Sequence, residues 1–220
     1  MSALGASVMR GSLVTGETRR ITGRMASLAS GSIAAHAPHL VHNGSMTRAG
    51  PAGDAAQPFR VSFVCTGNIC RSPMAEVVLR SLAERAGLAD RLAIESAATG
   101  DWHVGEPADV RTIEALTRAG YDGSRHRARQ FEAEAFPSLD LIVAFDRGQM
   151  RILRNWAPSM IEQDKVRLLL EFDPELAALQ DVPDPYYSDA VMFDRVLEMI
   201  ERSTSALFRQ LAPALRQGNR

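Results

Sequence analysis

The chain has 220 residues, 45% hydrophobic and 23% charged, with a formal net charge of −1. This is ordinary globular composition, long enough to bury a core, and the near-neutral balance excludes a protein drawn as a whole onto nucleic acid or an anionic membrane. No apolar run approaches the roughly 20 residues needed to cross a bilayer. With Cys65 and Cys70 as the only cysteines, neither a disulfide scaffold nor an all-cysteine zinc site can be built.

Residues 1–57 stand apart. They hold five arginines against Glu17 and Asp54, a net of +3, which leaves −4 for the rest. The segment is rich in Ala, Gly, Ser and Thr and has no aromatic residue. Such a stretch buries too little apolar surface to offset its ordering entropy and is expected to be mostly disordered. Its basic, acid-poor character is also that of an organellar transit peptide, and Met25 and Met46 offer later starts. His36, His39 and His42 are loosely spaced with no cysteine or acidic partner nearby, and are expected to be solvated rather than metal ligands. The folded domain is placed at residues 58–216.

From Phe59 the texture changes. Phe59–Cys65 (FRVSFVC) reads as a strand ending at a glycine-bearing turn. Ser72–Ala86 has helical apolar spacing through Met74, Val77, Val78 and Leu82, with Gly87 at its end. Leu92–Ala97 reads as a second strand and Ala108–Ala119 as a helix followed by Gly120. Leu139–Phe145 is nearly all apolar, as a strand buried on both faces must be. Arg147–Trp156 is helical, Val166–Leu170 is a fourth strand, and Asp189–Leu215 is a long closing helix. Strands alternating with helices predict an α/β fold in three layers: a four-stranded parallel sheet with helices on both faces. Ligands in such folds bind at the C-terminal ends of the strands.

The turn after the first strand carries the chemistry. Cys65-Thr66-Gly67-Asn68-Ile69-Cys70-Arg71-Ser72 links a strand to a helix N-terminus. Backbone N–H groups converge there and the helix dipole adds positive potential, a cradle for phosphate. Gly67 is expected to let the backbone approach the ligand closely. The same amides and Arg71 favour a Cys65 thiolate, the Arg71 fork matches two phosphate oxygens, and the Ser72 hydroxyl can donate to sulfur. A small buried cysteine is the bland alternative for Cys65. Further on, Asp181–Asp189 (DVPDPYYSD) is acidic, proline-locked and aromatic; composition alone makes it a surface turn.

VCTGNICRSPMAE (Val64–Glu76) resembles the signature of the low-molecular-weight protein tyrosine phosphatases, in their bacterial form. The likeness extends over about Phe59–Leu215. SAATGDWHVGEPADVRTIEAL (Ser96–Leu116), HRARQ (His126–Gln130), IVAFDRGQM (Ile142–Met150) and DPYY (Asp184–Tyr187) follow in the family's order. The resemblance implies hydrolysis of phosphotyrosine monoesters through a phosphocysteine on Cys65, with Arg71 holding the phosphate and Asp184 as general acid. It implies a phosphate-binding loop of Thr66, Gly67, Asn68, Ile69, Cys70 and Ser72 supported by Ser96 and His126. It makes Trp102, Tyr186 and Tyr187 the walls of the substrate pocket. Neither metal nor organic cofactor is implied. The expected partners are phosphotyrosine proteins, with no nucleic acid and no membrane insertion. The chain is expected to act as a cytoplasmic monomer or weak dimer, with residues 1–57 dispensable.

One departure stands out: Ser96-Ala97-Ala98 occurs where the family usually has Ser-Ala-Gly, and a methyl there is expected to shift the loop before Trp102. Three rival readings fit the residues less well. A thioredoxin-linked arsenate reductase needs cysteines downstream of Cys70, and this chain has none. A protein-arginine phosphatase has Thr where Ile69 stands and lacks the Tyr186–Tyr187 pair. A silent phosphotyrosine-binding module would lack part of the catalytic set. Cys70, five residues after Cys65, is expected to form a reversible disulfide with it under peroxide, against the plainer role of loop filler.

Overall fold

The computed structural model describes residues 57–217. The disorder expected for residues 1–57, and the question of a later start, lie outside the described residues except at Gln57. Four strands, β1 (Phe59–Cys65), β2 (Leu92–Ala98), β3 (Leu141–Ala144) and β4 (Val166–Leu168), form one sheet in the order β2-β1-β3-β4. All three pairings are parallel, with Val64 opposite Ala97 on one side and Ala144 on the other. Among the described residues five α-helices accompany them: α1 (Arg71–Arg85), α2 (Val110–Arg118), α3 (Arg147–Trp156), α4 (Met160–Gln163) and α5 (Ala190–Gln217).

Alternation along the strands divides the core in two. Val64, Ile142, Ala144, Val166 and Leu168 point to one face and cluster with Leu153 of α3, Phe131 and Phe136. Val61, Phe63, Leu141 and Val143 point to the other and are fully or almost fully buried. Helix α1 lies against β1 and β2 and against α5, which also contacts α2. Its buried Met74, Val78 and Leu79, with Phe193, Val196 and Ile200 of α5, complete that second layer. Burying one such side chain contributes about 1.5–3 kcal/mol.

The order β2-β1-β3-β4 places a switch point between β1 and β3, because the chain leaves those two strands toward opposite edges of the sheet. The turns after β1 and β3 therefore face one crevice. Asp146, just past β3, caps α3 through Gln149 N–H at 2.8 Å and reaches Arg71 Nη1 at 3.0 Å.

The three-layer sheet matches the expectation, and the bounds differ in instructive ways. β4 stops at Leu168, and Leu169–Phe172 turns as a short 3₁₀ helix. An apolar run of this length reads alike as strand or buried turn. Helix α2 starts at Val110 rather than Ala108, because Asp109 is its N-cap and accepts from Arg111 N–H at 2.8 Å. Helix α4, capped by Ser159, went unread because four residues are too few for periodicity. Ala98 continues β2 in register with Cys65 and bridges to Gln130, its N–H bonding to Arg129 O at 2.8 Å. The methyl is buried in regular extended backbone, so Ala98 lies in the strand rather than at a turn.

Candidate active site

Cys65 ends β1 and is buried, with 3% of its surface exposed. The loop that follows is shaped by Asn68, which adopts φ 56°. Asparagine tolerates this left-handed conformation better than most side chains. Gly67, expected to let the backbone approach the ligand closely, is not left-handed. A Cβ there would instead lie 2.9 Å from His103 Cδ2, so the missing side chain admits an imidazole.

Asn68 is fully buried and ties four segments together. Its Nδ2 donates to Ser72 Oγ at 2.8 Å and Ser96 Oγ at 2.9 Å, while its Oδ1 accepts from Arg129 N–H at 2.9 Å. Its carbonyl accepts from His126 Nε2 at 2.6 Å, an arrangement that selects the Nε2–H tautomer. Ser96 in turn donates to Glu76 Oε2 at 2.5 Å. Burial pushes the His126 imidazole below its ordinary range, although the Asn68 carbonyl and Glu76 oppose this.

Two donors converge on sulfur. Asn68 N–H lies 3.3 Å from Cys65 Sγ and Ser72 Oγ lies 3.0 Å from it. Ser72 already accepts from Asn68, so its own proton points to sulfur or to Ala97 O at 3.4 Å. Helix α1 begins at Arg71 with no side-chain cap and no acid in its first turn. Its leading amides and positive dipole end are left to act on an anion. Cys70 is the N-cap residue; burial, a Cys65 thiolate nearby and Asp109 push its thiol up to about 12. It is therefore a neutral thiol at physiological pH.

The Arg71 side chain is almost wholly buried. Nη1 donates to Asp146 Oδ2 at 3.0 Å and Val182 O at 3.1 Å, and Nη2 to Asp184 Oδ2 at 2.6 Å. Its buried Nε has no hydrogen-bond partner among the described residues. The Asp184 side chain is half exposed, and its Oδ1 accepts from Tyr186 N–H at 3.2 Å. The loop Asp181–Asp189, the acid loop of the resemblance, is anchored at its start by Val182 N–H on Phe145 O at 2.7 Å and by the Arg147–Asp181 pair at 2.8 Å. That pair holds the Asp181 carboxyl below the usual carboxylate range.

Cys65, Arg71, Asp184, Trp102, Tyr186 and Tyr187 line one cleft of about 370 Å³. Thr66, Gly67, Ile69 and Cys70 line it too, whereas Asn68, Ser72, Ser96 and His126 lie behind the loop and brace it. Trp102 and Tyr187 are strongly exposed, at 69% and 96%. The Trp102 ring lies over Gly100, where any Cβ would overlap it. The Tyr186 ring meets Tyr187 edge-on at 4.9 Å and His103 at 6.0 Å.

Residue reading alone missed Glu76, His103, Asp146, Gln149 and Arg129. Gln149 Nε2 donates to Thr66 Oγ1 at 3.0 Å and fixes the first loop residue. All five sit inside the stretches that carry the resemblance. That location was the available signal, since a lone Gln or Glu on a helix is most often solvated.

The family model described as low molecular weight phosphotyrosine protein phosphatase matches residues 60–217. A low molecular weight protein-tyrosine-phosphatase of Streptomyces coelicolor is 51% identical over 150 residues, covering 68% of this chain and 91% of the relative. Low molecular weight protein-tyrosine phosphatase A of Mycobacterium bovis is 43% identical over 153 residues, covering 69% of this chain and 91% of the relative. The crystal structure of YfkJ from Bacillus subtilis superposes with a TM-score of 0.67 at 34% identity, covering 72% of this chain and 98% of YfkJ. By sequence, fold and the placement of its cysteine loop, the chain belongs to the low molecular weight phosphotyrosine protein phosphatase family.

Proposed function

We propose that this chain hydrolyses phosphotyrosine in proteins, with Cys65 as nucleophile, Arg71 as phosphate clamp and Asp184 as general acid. The carrying observation is that Cys65 Sγ, held by Asn68 N–H and Ser72 Oγ, shares one cleft with the Arg71 fork and Asp184. The Cys65 thiolate attacks phosphorus, an S–P bond forms and the P–O bond to the phenol breaks. Asp184 gives its proton to the departing oxygen, which as a phenolate would have a pKa near 10. Water then attacks the phosphocysteine, returns a proton to Asp184 and releases phosphate and thiolate, the latter met by the Ser72 hydroxyl. Loop amides and Arg71 stabilise the equatorial oxygens throughout. A phosphate taking Arg71 Nε and Nη2 competes with Asp184 for Nη2, so substrate arrival frees the acid from its ion pair.

The exposed Trp102, Tyr186 and Tyr187 rings supply aromatic walls for a phenyl ring. The chemistry calls for neither metal nor cofactor. Among the described residues no helix is long and apolar enough to cross a membrane. This reading keeps the catalytic unit at 58–216, acting in the cytoplasm as a monomer or weak dimer.

The test is turnover of p-nitrophenyl phosphate and of a phosphotyrosine peptide by wild type and Cys65→Ser. Wild type should hydrolyse both. Cys65→Ser should bind the peptide while losing turnover by on the order of 10⁴-fold or more. Substantial hydrolysis by purified Cys65→Ser overturns the assignment.

A further inference from the structure

The acid loop has a second anchor, from a residue that none of the catalytic steps uses. Arg111, in the first turn of α2, donates through Nη1 to Ser188 O at 2.8 Å and through Nη2 to Tyr186 O at 3.0 Å. The same fork grips Asp109, with Nε on Oδ1 at 3.0 Å and Nη2 on Oδ2 at 2.7 Å. Asp109 is joined to the phosphate loop, because its N–H donates to Ile69 O at 2.9 Å. The guanidinium carbon sits 4.4 Å from the centre of the Phe193 ring, which adds a cation–π contact from α5.

Asp184 lies between two anchors. Val182 ties the loop's start to the end of β3. Arg111 ties its end to the phosphate loop, and Tyr186 N–H carries that hold back to Asp184 Oδ1 at 3.2 Å. Arg111 grips backbone carbonyls rather than side chains, so it fixes where the loop runs. A planar fork can grip both Asp109 oxygens and two carbonyls together, four bonds where an ammonium has three donors.

We propose that Arg111 is a positioning residue: it holds the acid loop in register with the phosphate loop, so that the Asp184 carboxyl reaches the leaving oxygen. The proposal rests on the phosphatase reading with Asp184 as acid. It predicts a signature that general destabilisation does not produce. Misplacing a general acid costs most when the leaving group is basic and least when it departs without a proton.

The experiment measures kcat/KM, which reports the step that expels the phenol, for aryl phosphates of graded leaving-group pKa. Wild type, Arg111→Ala, Arg111→Lys, Asp109→Asn and Asp184→Asn are compared, with the double variant Arg111→Ala/Asp184→Asn. Arg111→Ala should lose about 10-fold or more with phenyl phosphate and about 2-fold with the most acidic phenol. In the Asp184→Asn background the same substitution should cost less than about 2-fold, since the acid it positions is gone. Arg111→Lys should fall between wild type and Arg111→Ala. Asp109→Asn keeps the α2 cap while weakening the fork, and should show the same trend at smaller size. It decides the matter if Arg111→Ala does not fold. A loss equal across leaving groups, or full additivity with Asp184→Asn, overturns the positioning role. Absence of turnover in wild type would instead overturn the phosphatase reading, and Asp184→Asn with no leaving-group dependence would overturn its choice of acid.

Discussion

The phosphate loop and the acid loop, which hold the two halves of the proposed reaction, are built by opposite means. The phosphate loop is buried and cross-braced: Asn68 is fully buried and bonds to Ser72, Ser96, Arg129 and His126. The acid loop is open, with Asp184 half exposed and Tyr187 at 96% exposure, and apart from the Arg71–Asp184 pair it hangs from contacts at its two ends. The difference follows the chemistry. Amides that stabilise a charge must already point the right way when it develops. An acid that first pairs with Arg71 and then turns to the leaving group must be able to shift.

The largest effect that sharpens this contrast is expected at Asp184. Asp184→Asn should lower kcat/KM for phenyl phosphate by about 10²–10³-fold, with its thermal midpoint close to wild type because the side chain is half exposed. Equal losses for basic and acidic leaving groups would assign Asp184 a structural role.

Asn68→Ala should do the reverse. It strands buried donors and acceptors and forces alanine into a left-handed conformation. The expected loss is about 2–4 kcal/mol of stability by urea titration. Tyr187→Ala, at the exposed end of the contrast, should change stability by less than about 0.5 kcal/mol. Similar stability losses in the two variants would erase the distinction.

A subtler test concerns Cys70. Its thiol is pushed up to about 12, chiefly by burial, so it is a slow attacking group. Mild peroxide should inactivate wild type reversibly through a Cys65–Cys70 disulfide that forms slowly after Cys65 is oxidised. Cys70→Ser should keep basal activity and lose most of the recovery by reductant. Mass spectrometry finding no such disulfide would leave Cys70 as loop filler.

The smallest effect is expected at His126. Its imidazole titrates below the ordinary 6.5, so the unfolded chain binds this proton more readily than the folded one. That contribution to stability is complete above the unfolded value and is lost as pH falls through the folded value. Thermal midpoints measured from about pH 7.5 down to about pH 5 should fall more steeply for wild type than for His126→Gln. Parallel curves would show that another group carries the acid sensitivity.

Much of the molecule was legible from local pattern. Phe59–Cys65 has the bounds read from the sequence, Leu141–Ala144 reads as a doubly buried strand, and the amphipathic run of α5 is unmistakable. Among the elements that escaped notice, α4 and the turn Leu169–Phe172 are too short or too apolar to show a period.

The sequence by itself determined the local frame of the proposed reactive loop, because Cys65 through Ser72 is a contiguous strand, turn and helix start whose amides converge wherever that order occurs. Only the tertiary structure decided how distant residues meet at the site, Asp184 among them although the resemblance had already named it. Asp146 and Asp184 reach Arg71 from 75 and 113 residues away, and Arg111 reaches Tyr186 across 75. No local preference encodes such pairings. They arise because the sheet order brings the ends of β1 and β3 to one crevice, and because buried donors and acceptors there need partners. The role of Gly67 shows the same division: its sequence position marked a turn, and the fold made the vacant Cβ a seat for His103.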